Sequence, residues 1–137
     1  MVIVVSFIYQ KTLKHTFEHK ILNKIKVQLE SKLKKENIQV KENVFIGFSY
    51  GHYHGTNIFY DSKKNESKAR MLTKILENHQ VDIRCFSNLI MEYDIEILLG
   101  YVDHKSEKPY IKSIVSDIIE SLFKTFSIFE KGAYISA

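Results

Sequence analysis

The sequence holds one cysteine, one proline, five glycines, no tryptophan and only two arginines, Arg70 and Arg84, in 137 residues. The lone Cys85 excludes an intrachain disulfide framework and leads us to expect a cytoplasmic protein. So few glycines and prolines exclude a low-complexity, collagen-like or linker-rich chain. Scarce arginine removes the side chain best suited to bidentate contacts with phosphates and base edges. The longest stretch free of Asp, Glu, Lys and Arg is Asn43 to Tyr60, 18 residues that include His52, His54, Asn57 and three glycines, which does not describe a membrane span. The apolar run Val2 to Tyr9 has no basic residues ahead of it and no small-residue cleavage pattern, so it does not read as a signal peptide.

What is present is an ordinary globular composition, 45% hydrophobic and 26% charged, enough for one core without staples and for one domain over residues 1–137. The net charge of +4 is uneven. Nine lysines between Lys11 and Lys41 face only Glu18, Glu30 and Glu36, a local balance of +6 that leaves −2 elsewhere. Such a segment suits phosphates, an acidic protein or an anionic surface, and it equally suits a solvated helix face.

Val2 to Tyr9 is β-branched, aromatic and nearly continuous in apolarity, as expected of a central strand. From Thr12 to about Asn37 the residues are strong helix formers, with Leu13, Phe17, Ile21, Ile25, Leu29 and Leu33 at four-residue intervals. That spacing advances 40° per step around a helix, so the stripe wraps and the helix is expected to bend or to be contacted on two sides. Val44 to Tyr50 and Thr56 to Tyr60 read as two strands of a hairpin turned at Gly51-His-Tyr-His-Gly55, with Gly47, Gly51 and Gly55 as bulge and turn residues. Asp61-Ser62 offers a cap for a second helix with Ala69, Leu72, Ile75, Leu76 and His79 on one face. Val81 to Phe86 and Tyr93 to Ile97 alternate as half-buried strands. Pro109 opens a last helix, whose strong apolar stripe from Ile111 to Phe126 runs towards a stop at Gly132. The order β-α-β-β-α-β predicts an α+β, ferredoxin-like split βαβ arrangement, extended by an additional edge strand and a C-terminal amphipathic helix.

Several constellations carry candidate chemistry. His15-Thr-Phe-Glu-His19 sets two imidazoles four residues apart on one helical face with Glu18 beside them. The pattern resembles the zinc motif of the inverzincin metallopeptidases; the resemblance implies His15 and His19 as ligands of zinc or another divalent metal and Glu18 as general base. His52 and His54 share a face if the chain there is extended. They are similar to the histidine pair of HUH-type nicking enzymes, which implies a divalent cation and a tyrosine nucleophile such as Tyr60, Tyr101 or Tyr110. Six of the 17 aromatic residues lie between Asn43 and Tyr60, a density that would serve to stack unpaired bases. Glu92, Asp94 and Glu96 form an acidic row along one strand face, and Cys85 alternates towards the core as a small hydrophobe.

No phosphate-cradling glycine loop and no Ser-His-Asp pattern accompanies these groups. The expectation from residues alone is therefore a non-enzymatic protein-binding module of bacterial or phage origin: an inhibitor, an immunity-type partner or an assembly subunit. Its contacts would be Tyr50, His52, Tyr53 and His54 at the hairpin tip and Lys20 and Lys24 on the basic helix. A homodimer through Phe123, Phe126 and Phe129 is a further expectation, with no cofactor and no membrane partner. The alternatives are a divalent-metal hydrolase or nuclease using His15, Glu18 and His19 or His52 and His54, and a nucleic-acid-binding protein.

Overall fold

The computed structural model describes residues 7–11, 16–49, 55–78, 83–100 and 108–132. Its elements are β1 (Phe7–Tyr9), α1 (Thr16–Lys35), β2 (Val44–Phe48), β3 (Thr56–Tyr60), α2 (Lys63–Glu77), β4 (Ile83–Ser87), β5 (Ile95–Leu99) and α3 (Lys108–Gly132).

The helices form where the apolar spacing predicts them. In α1, Ile21, Ile25, Leu29 and Leu33 are all buried. The helix ends at Asn37, whose φ of 55° is a left-handed conformation that asparagine tolerates. There the Asn37 and Ile38 N–H groups donate back to the carbonyls of Lys34 and Leu33, closing a Schellman-type cap. Before α2, Ser62 is extended but its side chain makes no capping bond. The first turn is tied instead by Asn65, whose Nδ2 donates to Asp61 Oδ1 at 2.6 Å and whose N–H donates to the Ser62 carbonyl.

The five strands lie in the order β1-β2-β5-β3-β4. β1, β2 and β5 are parallel, β3 runs antiparallel to β5, and β4 is parallel to β3. Registers Phe7↔Val44↔Ile95↔Tyr60 and Tyr9↔Ile46↔Ile97↔Ile58↔Cys85 align core residues from all five strands on one face. All three helices pack on that face. Lys26 of α1 lies over the Tyr9 ring, Phe126 of α3 meets Phe7 edge-on at 5.8 Å, and Arg70 of α2 lies over Tyr60. Since β1-α1-β2 and β3-α2-β4 advance the same way across the sheet with strands of opposite direction, helices on one face give the two crossovers opposite hands. One of them therefore departs from the usual right-handed rule. The second face, with Phe45, Glu96, Phe59 and Arg84, carries no described helix.

The mixed α and β content agrees with expectation, but the ferredoxin-like sheet does not. β2 and β3 do not pair as a hairpin, because β5 lies between them. Ile95, Ile97 and Leu99 are essentially inaccessible, and a strand with that demand for burial belongs in the middle of a sheet, not at the edge where it was expected. β1, expected to be central, ends the described sheet. Gly47 serves neither bulge nor turn. It is a strand residue whose Cβ would stand 2.7 Å from Gln10 Oε1, so glycine admits the Gln10 side chain. Phe126 is taken up in the core, while Phe123 and Phe129 are half-buried under Lys32 and Lys68.

Candidate functional site

The strand directions sort the molecule into two ends. The carboxyl ends of β1, β2 and β5 and the amino ends of β3 and β4 share one sheet edge, here the carboxyl edge. In open sheets with parallel strands, ligands bind in the crevice outside the carboxyl ends. Gln10 laces this edge together: its N–H donates to the Ile46 carbonyl at 3.0 Å, and its Oε1 accepts from the Phe48 N–H at 2.8 Å. Beside it, the Ser49 N–H donates to the Leu99 carbonyl at 2.9 Å. By connectivity α1 and α3 both begin at this edge, so both present the partially positive ends of their dipoles there.

Four connections are anchored to the edge by the described residues that bracket them. They lie between Lys11 and Thr16, Ser49 and Gly55, Asn78 and Ile83, and Gly100 and Lys108. Five of the six histidines of the sequence belong to these connections: His15, His52, His54, His79 and His104. His15, Tyr50, His52, Tyr53 and His54, all expected to matter, lie outside the described residues. His79 and His104 were not among the predicted site residues. Their signal is topological, since the connections that hold them are bracketed by residues of one sheet edge, which only the strand order reveals.

The described candidates divide between this edge and other places. Glu18 is half-buried in the first turn of α1, at the carboxyl edge, and His19 beside it is exposed. Lys20 and Lys24 are exposed further along α1, where Lys24 lines a groove shared with α3. Tyr60 is excluded as a nucleophile serving His52 and His54. It ends β3 at the opposite edge, where its hydroxyl donates to Glu66 Oε2 and accepts from Arg70, both at 3.3 Å. Tyr101 and the side chain of Tyr110 lie outside the described residues.

The acidic row is dispersed. Glu92 is exposed in the β4–β5 loop, and Asp94 Oδ2 accepts the Asn43 N–H at 2.8 Å. Only Glu96 lies within a strand, on the second face in register with Phe45 and Phe59, where burial pushes its carboxyl above the usual range. Those two rings are themselves occupied, Phe45 stacking on Tyr93 at 4.9 Å and Phe59 on Phe86 at 5.6 Å. Cys85 is half-buried, and burial raises its thiol pKa, which disfavours the thiolate a nucleophile requires. Among the described residues no three His, Cys, Asp or Glu side chains are grouped to hold a metal ion, and no helix is long and apolar enough to cross a membrane.

No protein-family model and no curated protein sequence matches the chain. Solved structures do. The catalytic domain of CwlV, an N-acetylmuramoyl-L-alanine amidase from Bacillus (Paenibacillus) polymyxa var. colistinus, superposes with a TM-score of 0.58 at 15% identity, covering 82% of this chain and 84% of that one. The N-acetylmuramoyl-L-alanine amidase AmiC2 of Nostoc punctiforme superposes with a TM-score of 0.53 at 10% identity, covering 78% and 83%. At these identities the likeness is one of fold. The expectation of a non-enzymatic inhibitor, immunity-type partner or assembly subunit rested mainly on the absence of an enzyme's motifs. The two amidase folds overturn it.

Proposed function

We propose that the chain is a metal-dependent hydrolase that cleaves an amide bond at the carboxyl edge of its sheet, with an N-acetylmuramoyl-L-alanine linkage as substrate class. The observation that carries this reading is that the described ends of four connections lie at one sheet edge, and the sequence of those connections holds five histidines. Imidazoles are the commonest ligands of zinc, and Asp103, in the same connection as His104, adds a carboxylate, so the donor chemistry fits a divalent ion. Such an ion would polarise the scissile carbonyl and lower the pKa of a bound water.

The chain's own contribution is positional. Glu18, set in the first turn of α1, is the candidate to accept the proton of the attacking water and return it to the leaving amine. His15 and His19 flank it, and the amino ends of α1 and α3 favour the negative charge that develops on the carbonyl oxygen. Amide hydrolysis is favoured over phosphodiester cleavage because both structural neighbours are amidases and because Tyr60 is committed at the other edge. The lone Cys85 supports a cytoplasmic location, where the substrate would be a soluble muramoyl peptide fragment.

The test is incubation of the purified protein with an N-acetylmuramoyl-L-alanyl peptide, following release of the free alanyl amine with zinc supplied and with a chelator added. Release that the chelator abolishes, and that Glu18→Gln reduces by at least about 100-fold, is expected. Absence of release with zinc, manganese and magnesium each supplied, or cleavage of single-stranded DNA instead, would contradict the reading.

A further inference from the structure

The largest apolar exposure among the described residues is a projection. Leu89 is 83% exposed and Ile90 94% exposed in the turn between β4 and β5. Two adjacent aliphatic side chains held almost wholly in water are costly to keep, and such patches mark contact sites. The turn that displays them is fastened: the Asn88 N–H donates to the Tyr60 carbonyl at 2.8 Å, the Met91 N–H donates to the Asn88 carbonyl at 3.3 Å, and the Ile90 N–H donates to Asn88 Oδ1 at 3.3 Å. The knob is thus formed before any partner arrives, which lowers the entropy of docking.

A receptor of matching character lies on another surface. Between α1 and α3 runs an open groove of about 650 Å³. Val27, 60% exposed, and the buried Ile119 give it apolar lining, while Lys24 and Lys32 line its α1 side and the exposed Glu120 its α3 side, so the cations outnumber the one carboxylate. Lys32 is held in place by the Phe123 ring beneath it at 5.1 Å. The knob carries the opposite charge, since exposed Glu92 follows Ile90 by two residues.

We propose that this chain self-associates head to tail, the Leu89-Ile90 knob of one copy seated in the α1–α3 groove of the next with Glu92 against Lys24 and Lys32. Knob and groove are different surfaces, so the contact is heterologous and each added copy exposes a fresh knob and a fresh groove. A lipid surface is the weaker occupant for the knob, because Glu92 and Asp94 in the same loop oppose approach to anionic headgroups. The inference is independent of the amidase reading.

The experiment is sedimentation velocity on the full chain over a concentration series, with a knob variant, Leu89→Ser with Ile90→Asp, and a groove variant, Val27→Asp. Both sites are exposed, so both variants are expected to keep the parent's unfolding temperature. The parent is expected to grow beyond a dimer with concentration, and each variant alone to associate at least about tenfold more weakly. Mixed, the two variants are expected to form a one-to-one pair that grows no further, because each retains the half that the other lacks. Exchange of charges, Glu92→Lys with Lys24→Glu in one chain, is expected to restore association that either change alone weakens. A parent that stays monomeric, variants that associate as it does, a mixture that does not pair, or knob-dependent binding to anionic vesicles without self-association would overturn the proposal.

Discussion

The two edges of the sheet are built differently. At the amino edge of the parallel strands the chain closes its ends with side-chain networks. Lys68 of α2 bridges Glu42, just before β2, and Glu130, near the end of α3, beneath the rings of Phe126 and Phe129. Nearby, Asp94 holds the Asn43 N–H, Asn65 holds Asp61, and Tyr60, Glu66 and Arg70 form a third cluster. At the carboxyl edge the described lacing is one glutamine and the backbone. The histidines are assigned to the connections that leave from there. On the proposed reading the contrast separates work within one fold: ionic and amide groups secure one end, and the connections of the other are assigned the chemistry, as loops on rigid scaffolds commonly are.

The sharpest break of that contrast removes the chemistry and leaves the scaffold. His52→Ala with His54→Ala is expected to reduce amide cleavage by more than about 100-fold, beyond the effect usual for a metal's outer-shell partners, with an unfolding temperature close to the parent's. The amino edge should show the reverse. Lys68→Ala leaves the buried Glu42 carboxylate uncompensated and is expected to cost about 3–5 kcal/mol in denaturant unfolding while the remaining folded protein keeps its specific activity. Replacing the pair together, Lys68→Met with Glu42→Leu, is expected to recover much of that loss.

A smaller effect is expected from Gly47→Ala. The new Cβ would displace the Gln10 side chain and lose its bond to the Phe48 N–H, a loss of about 1 kcal/mol, accompanied by a change in activity because this is the lacing of the carboxyl edge. The smallest effect tests the second face. Burial holds the Glu96 carboxyl above its ordinary range, so the folded chain takes up that proton at higher pH than the unfolded one. Ionisation of Glu96 therefore lowers stability as the pH rises from the ordinary carboxylate value through the raised folded value, and the deficit persists above it. Glu96→Gln should unfold at a slightly higher temperature than the parent at about pH 7 and at the same temperature near about pH 3.

Local structure was legible in the sequence because it is written at short range. The four-residue spacing of Ile21, Ile25, Leu29 and Leu33, the alternation of Tyr93 to Ile97 and the position of Pro109 each name an element from its own residues. Pairing was not legible. Thr56 to Tyr60 follows Val44 to Phe48 after seven residues, a separation that suits a hairpin, and only the competing burial of Ile95, Ile97 and Leu99 places β5 between them. The site suffered from the same limit. His52 and His54 declare themselves as a pair, whereas His79 and His104 have no sequence neighbour of their kind and draw notice only because the described ends of their connections lie at one edge. The lysine clasp was equally invisible, since Glu42, Lys68 and Glu130 are separated by 26 and 62 residues.

The most direct measurement is the zinc content of the purified, dialysed protein, compared with the His52→Ala, His54→Ala, His79→Ala and His104→Ala variants. The account predicts close to one ion per chain in the parent and a marked loss in at least two variants drawn from different connections, with unfolding of the apo forms unchanged. A parent that retains no zinc, or one that keeps it through all four substitutions, would contradict the assignment of the carboxyl edge as the catalytic end.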